Sequence, residues 1–132
     1  MVGFYPEDNR RGLIAQTALL PVIRTFFNKD INEISNKLSP FDYECSKYYY
    51  ELKTRTNTLN KYPTTMIGRN KIEGNKKTIL IFQYTDCLTY IKYKKELFDT
   101  FEIKKFDRNV KESNKRDYIY IPIEHLKIIE NY

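Results

Sequence analysis

Asp42 and the run Glu51-Leu52-Lys53, nine residues further on, bring two carboxylates and an ammonium into one neighbourhood if the chain between them folds back on itself. Facing carboxylates repel unless a cation lies between them. A divalent ion such as Mg²⁺ prefers oxygen ligands, commonly one or two carboxylates, several waters and the phosphate oxygens of a substrate. Such an ion polarises a phosphate and activates a water, while a nearby lysine positions that water or stabilises the charge that builds up. The set is sufficient for phosphodiester hydrolysis.

The intervening residues do fold back on their pattern. From Phe41 to Lys53 the chain alternates in character around a polar break at Ser46-Lys47, and period-two alternation is the signature of strands. A two-residue turn at Ser46-Lys47 pairs Cys45 with Tyr48, Glu44 with Tyr49, Tyr43 with Tyr50 and Asp42 with Glu51. Ser-Lys is not a favoured pair for such a turn, and a four-residue loop keeps the same register. Directly opposed residues have Cβ atoms roughly 4.5 to 5.5 Å apart, and alternation places Lys53 on the face of Glu51. The other face carries Phe41, Tyr43, Cys45, Tyr48, Tyr50 and Leu52, which is what a core requires. An amphipathic hairpin with a solvated polar face has the same pattern, so spacing alone does not separate the two readings.

Charge placement does more. The net charge is +6, and the stretch from Lys53 to Lys77 holds seven basic residues against the single acid Glu73, whereas the rest of the chain balances sixteen of each sign. All the excess positive charge lies in the segment leaving the second strand. Phosphate contacts supply most non-specific nucleic-acid affinity, and Arg55, Asn57, Lys61, Arg69 and Lys71 are the candidate phosphate ligands there. A solvated lysine-rich loop is the plainer alternative.

The 132 residues fit one domain, 1–132, with a single core. An apolar fraction of 41% with twelve Tyr and eight Phe excludes a disordered chain. No apolar run approaches the roughly 20 residues that cross a bilayer, and the N-terminus has no leader pattern. A soluble intracellular protein, of cytoplasm or nucleus, without membrane contact is expected. Cys45 and Cys87 read as free thiols, and one His with two Cys is too few ligands for zinc. His125, the only histidine, rules out two-histidine mechanisms and reads as a surface residue. Abundant Lys, Asn, Ile and Tyr hint at an AT-rich genome such as that of a phage or large DNA virus.

The elements that must position the centre follow in order. Gly12 to Phe27 has a helical pattern interrupted by Pro21, which predicts a kink or two short helices. Asp30 to Leu38 predicts a helical turn. Asn57 to Asn75 is polar and predicts loop with a short helix over Thr64 to Lys71. Thr78 to Tyr84 is a nearly continuous apolar run, as in a strand buried on both sides, and Cys87 to Tyr93 is its neighbour through Thr85-Asp86. Lys95 to Phe101 fits either helix or strand. Glu102 to Phe106 and Asp117 to Ile123 predict strands, and Glu124 to Asn131 a closing helix. The fold class is α/β (α+β), with a central mixed β-sheet flanked by helices. Gln83, odd within its apolar run, is either a core amide satisfied by backbone or a residue beside the metal.

A helix, an aspartate opening a hairpin, Glu-x-Lys on its second strand and further strands resemble the PD-(D/E)XK nuclease superfamily, a restriction-endonuclease-like fold. The likeness covers most of the chain in element order, while Asp42, Glu51 and Lys53 match the signature itself. The proline that usually precedes the aspartate lies one position back, at Pro40. The resemblance implies that Asp42 and Glu51 bind Mg²⁺ or Mn²⁺, that the Leu52 carbonyl completes the inner shell and that Lys53 orients the attacking water. Many relatives add an acid from the first helix. Here the corresponding position is Gln16, an amide offering only a carbonyl oxygen, with Glu33 as another source of charge, so one-metal and two-metal centres both stay open.

The leading expectation is a metal-dependent DNA endonuclease. One centre per chain needs a homodimer or two visits to cut both strands, and a symmetric dimer also suits junction resolution. An RNA nuclease would use the same centre. The alternative class is a non-catalytic nucleic-acid-binding or assembly protein in which the hairpin acids are structural.

Overall fold

The computed structural model describes residues 6–36, 38–72, 76–107 and 115–132, with side chains from residue 14 onward in the first helix. Helix α1 spans Pro6–Phe26 and is followed by β1 (Asn32–Glu33), β2 (Tyr43–Glu44), β3 (Tyr48–Thr54) and β4 (Thr64–Gly68). Then come β5 (Lys77–Gln83), β6 (Cys87–Lys92), the one-turn helix α2 (Lys95–Phe98), β7 (Glu102–Asp107), β8 (Lys115–Pro122) and β9 (Lys127–Asn131). Short 3₁₀ turns occupy Leu59–Lys61, Arg69–Ile72 and Ile123–His125. Six strands form a mixed sheet in the order β1-β2-β3-β5-β6-β9, and three form a second sheet in the order β4-β8-β7.

The hairpin has the predicted register where Tyr43 faces Tyr50 and Glu44 faces Tyr49, closed by the Cys45 N–H on the Tyr48 carbonyl at 3.0 Å, but the expected Asp42–Glu51 pair is not part of the ladder, because the Asp42 N–H bonds the Tyr50 carbonyl instead. β5 lies between parallel β3 and antiparallel β6. Both its faces are covered, so Thr78 through Phe82 are all buried, as their apolar run requires. Odd residues Ile79 and Ile81 join Tyr50 and Leu52 against α1, which contributes Leu19 and Ile23 from one face at i and i+4. Even residues Leu80 and Phe82 pack instead with Ile67, Ile119 and Ile121 of the second sheet. The molecule thus has an apolar cluster on each face of the six-stranded sheet rather than the single core expected from chain length.

Several elements depart from their predicted form. α1 runs unbroken through Pro21, because the proline lies on the exposed side of the helix, where water can satisfy the carbonyl its missing N–H leaves free; Thr25 Oγ1 separately donates to the Pro21 carbonyl at 2.9 Å. The helix expected over Thr64 to Lys71 is β4 followed by a 3₁₀ turn, since β-branched Thr64, Thr65 and Ile67 pair antiparallel with β8. The turn expected within Asp30 to Leu38 contains the edge bridge β1, with Lys37 outside the described residues. The closing helix over Glu124 to Asn131 is a 3₁₀ turn and then β9, whose Ile128 and neighbours extend the sheet beyond β6. Lys95 to Phe101 begins as α2. The architecture is mixed α/β and mostly sheet: α1 covers one face and the second sheet covers the other, so only one face meets the expectation of flanking helices. Among the described residues no helix is long and apolar enough to cross a membrane.

Candidate functional site

Alternation along β3 sends Tyr50 and Leu52 to α1 and leaves Tyr49, Glu51, Lys53 and Arg55 on the opposite face, toward the second sheet. Glu51 is only 3% exposed. Asp42 reaches it across the hairpin, and the mechanism of approach is visible in the backbone. The Asp42 N–H donates to the Tyr50 carbonyl at 2.9 Å, whereas the Asp42 carbonyl turns away to accept the Ile34 N–H at 2.9 Å. The side chain then takes over the ladder, with Oδ2 accepting the Leu52 N–H at 2.7 Å. Because pairing ends at Tyr43, alternation ends there too. Phe41, expected beside Tyr43 in the core, instead stacks on Tyr49 with ring centroids 4.4 Å apart, on the Glu51 face.

Two cations close on the carboxylates. Lys53 Nζ lies 3.6 Å from Glu51 Oε1, and Lys71 Nζ lies 3.4 Å from Glu51 Oε2. Lys71 also donates to the Pro40 carbonyl at 2.8 Å, so the 3₁₀ turn after β4 is tied to the loop that leads into the hairpin. Glu51 Oε2 is nonetheless buried with no hydrogen bond of acceptable geometry. Burial, and then the Asp42 charge, push the Glu51 carboxyl up to about 7, against the opposing pull of Lys53 and Lys71. Burial raises Asp42 as well, partly offset by the Leu52 N–H, and burial lowers Lys53. A crowded, desolvated acid pair of this kind is the pattern that functional sites share.

The donor set fits one hard divalent cation. Asp42 and Glu51, the latter with its orphaned Oε2, supply anionic oxygen in the number Mg²⁺ commonly takes from protein. Among the described residues no group of three or more His, Cys, Asp or Glu is assembled for a metal. Gln16 does sit beside this centre, but on its backbone: Nε2 donates to the Asp42 carbonyl at 3.4 Å, and the Gln16 carbonyl accepts the Tyr43 hydroxyl. It fastens α1 to β2. Glu33 pairs with Tyr43 in the β1–β2 bridge and is exposed.

The basic residues divide. Lys71, expected on phosphate, is drawn into the carboxylate pair; nothing in its sequence neighbourhood signals that. Arg69 pairs with Asp117 at 3.5 Å, and exposed Lys61 rides over the Tyr62 ring at 5.7 Å. Arg55 Nε donates to Thr65 Oγ1 at 3.2 Å and Nη2 to the Met66 carbonyl at 2.7 Å, which joins the end of β3 to β4. Asn57 Nδ2 donates to the Thr58 carbonyl at 2.9 Å. Gln83 lies on the α1 face, donating to the Tyr132 hydroxyl at 3.0 Å, away from the acids. His125 packs near the Phe101 ring, and both cysteines are unbridged. No family model matches the chain, and no curated protein is significantly similar to it.

Proposed function

We propose that the chain is a metal-dependent nuclease acting on DNA, resembling the PD-(D/E)XK type, with Asp42 and Glu51 holding Mg²⁺ or Mn²⁺. The observation that carries this reading is the meeting of Asp42 with a 97%-enclosed Glu51 whose proton affinity is raised to about 7, with Lys53 at 3.6 Å on the same strand face. A purely structural hairpin has no reason to bury one acid beside a second, half-buried acid that repels it. Support also comes from the element order, helix before hairpin before Glu-x-Lys strand, and from the basic segment that follows. The three-stranded second layer in place of helices is where the restriction-endonuclease-like comparison is weakest.

When bound, the cation supplies charge neutralisation at a phosphate and a more acidic water. The chain's own groups do the rest. Asp42 and Glu51 are held by the Leu52 N–H and by burial, so they need little reorganisation to bind it. Lys53, with its proton affinity lowered by burial, stands where a lysine orients a nucleophilic water or meets negative charge building on phosphate. Lys71 would exchange Glu51 for a substrate phosphate on metal binding, remaining anchored near the Pro40 carbonyl.

One observation favours the alternative, a non-catalytic nucleic-acid-binding or assembly protein: Lys53 and Lys71 already neutralise Glu51 without a metal. Incubating plasmid and branched DNA with Mg²⁺ or Mn²⁺ separates the two. Cleavage by the unmodified chain that is lost in Asp42→Ala, Glu51→Ala and Lys53→Ala supports the nuclease. Absence of cleavage with every substrate and metal, or cleavage persisting in all three variants, removes it. Sedimentation of the protein with and without DNA tests the homodimer that double-strand cutting or junction resolution calls for.

A further inference from the structure

Four residues beyond Glu51, just past the end of β3, Arg55 forms part of the wall of a cavity of about 270 Å³. At about 3.3 Å per residue this places Arg55 roughly 7 Å past Lys53. Leu59, Met66 and Tyr62 give the cavity apolar walls, and Asn57, Thr65 and Tyr84 add polar groups. Mostly apolar lining with a few fixed polar atoms is the composition of a ligand site rather than of a solvent groove.

Two features of this cavity bear on what it can hold. Tyr62, at the rim, leaves 54% of a large aromatic side chain exposed, with the Lys61 ammonium over its ring. The Arg55 guanidinium is fixed on three sides, by Thr65, by the Met66 carbonyl and by the Phe82 ring 5.5 Å beneath it. A pinned planar cation and an open phenol ring are the two surfaces on which unstacked bases settle.

We propose that this cavity receives a single unstacked nucleobase of a nucleotide neighbouring the phosphate held at Lys53, which makes single-stranded or branched nucleic acid the preferred ligand over continuous duplex. The inference rests on the nuclease reading for the placement of that phosphate, but the binding itself needs neither metal nor cleavage. The volume suits one base with part of its sugar and excludes a stacked base pair. Tyr62 offers a stacking face and Lys61 a charge for the adjoining phosphate. Extraction of a base from duplex forfeits its stacking and pairing, whereas an unpaired base gives up little, and this difference sets the preference.

The test uses the full chain in EDTA. Its probes are a short single-stranded DNA carrying 2-aminopurine, the same strand fully paired, and the same strand with an abasic site at that position. The single strand should bind about tenfold more tightly than duplex and than the abasic strand, with the aminopurine fluorescence changing on binding. Tyr62→Ala, at an exposed position that leaves the fold intact, should weaken binding about tenfold and abolish the fluorescence change. Lys61→Met, also at an exposed position, should weaken it about threefold. Equal affinity for the three probes, or unchanged binding in both variants, overturns the proposal. Since no metal is present, single-strand preference without any later cleavage leaves the cavity assignment standing while the nuclease reading falls. Cleavage with no preference among the probes does the reverse.

Discussion

At the centre of β3 both faces are enclosed, and they are chemically opposite. Toward α1 lie Tyr50 at 1% exposure and Leu52 at 8%; toward the second sheet lies Glu51 at 3%. The first face stabilises the fold in the usual way, each large apolar side chain contributing about 2 to 3 kcal/mol by leaving water. The second face encloses a carboxylate whose proton is retained to about pH 7, which means that enclosing its charged form costs stability. The comparison teaches that position in a buried sheet does not decide polarity here. One face holds the molecule together, and the strength of that face lets the other carry an arrangement that folding alone would not select.

The comparison breaks most severely if the acids are removed without consequence. Asp42→Ala and Glu51→Ala should each lower Mg²⁺-dependent cleavage by a factor on the order of 10³, measured on plasmid under single-turnover conditions, with the folded state retained. Next in size is the apolar face. Ile81, wholly buried between Tyr50, Leu52 and α1, should cost about 3 kcal/mol on replacement by Ala in urea unfolding, with the midpoint shifted and the slope unchanged.

A smaller and opposite effect is expected at the polar face. The folded Glu51 keeps its proton up to about pH 7, while the unfolded chain releases it near 4.5. Between those values the folded state binds more protons, so stability from this group is greatest below about pH 4.5 and falls as the pH rises toward 7. Glu51→Gln should therefore be more stable than the unmodified chain at pH 8, by on the order of 2 kcal/mol, and should flatten the pH dependence. Mg²⁺ should raise the melting temperature of the unmodified chain at pH 8 and leave that of Glu51→Gln unchanged. Smallest is Lys71→Met. Removing one cation from Glu51 Oε2 should tighten Mg²⁺ binding roughly fivefold by calorimetry, because a competing charge is gone.

Local pattern made much of this legible. The hairpin register followed from alternation around Ser46-Lys47, and the burial of β5 from its unbroken apolar run. β7 and β8 were visible as strands for the same reason. What failed were segments whose partners are distant in sequence. β4 reads as a polar loop with a helical turn until β8, some fifty residues on, supplies the ladder that its threonines and Ile67 accept. β9 reads as a closing helix until the free edge of β6 is offered to it. Phe41 follows the alternation of its strand on paper, but the Asp42 carbonyl is claimed by Ile34 and the pattern stops one residue earlier.

The sequence by itself determined that Asp42 and Glu51 would lie close together, because a hairpin is a local structure set by a turn and by alternation within a dozen residues, but their direct pairing was not legible there, since the ladder ends at Tyr43. It also determined where the positive charge would be concentrated. Only the tertiary structure decided which cations reach the acids. Lys53 arrives by strand periodicity, but Lys71 arrives because β4 pairs with β8 and its following turn lands on the Pro40 loop. The burial that raises Glu51, and the cavity that closes around Tyr84, likewise depend on the second sheet packing across Leu80 and Phe82. Desolvation is a property of what surrounds a group in space, and the residues that surround these are contributed by segments far apart along the chain.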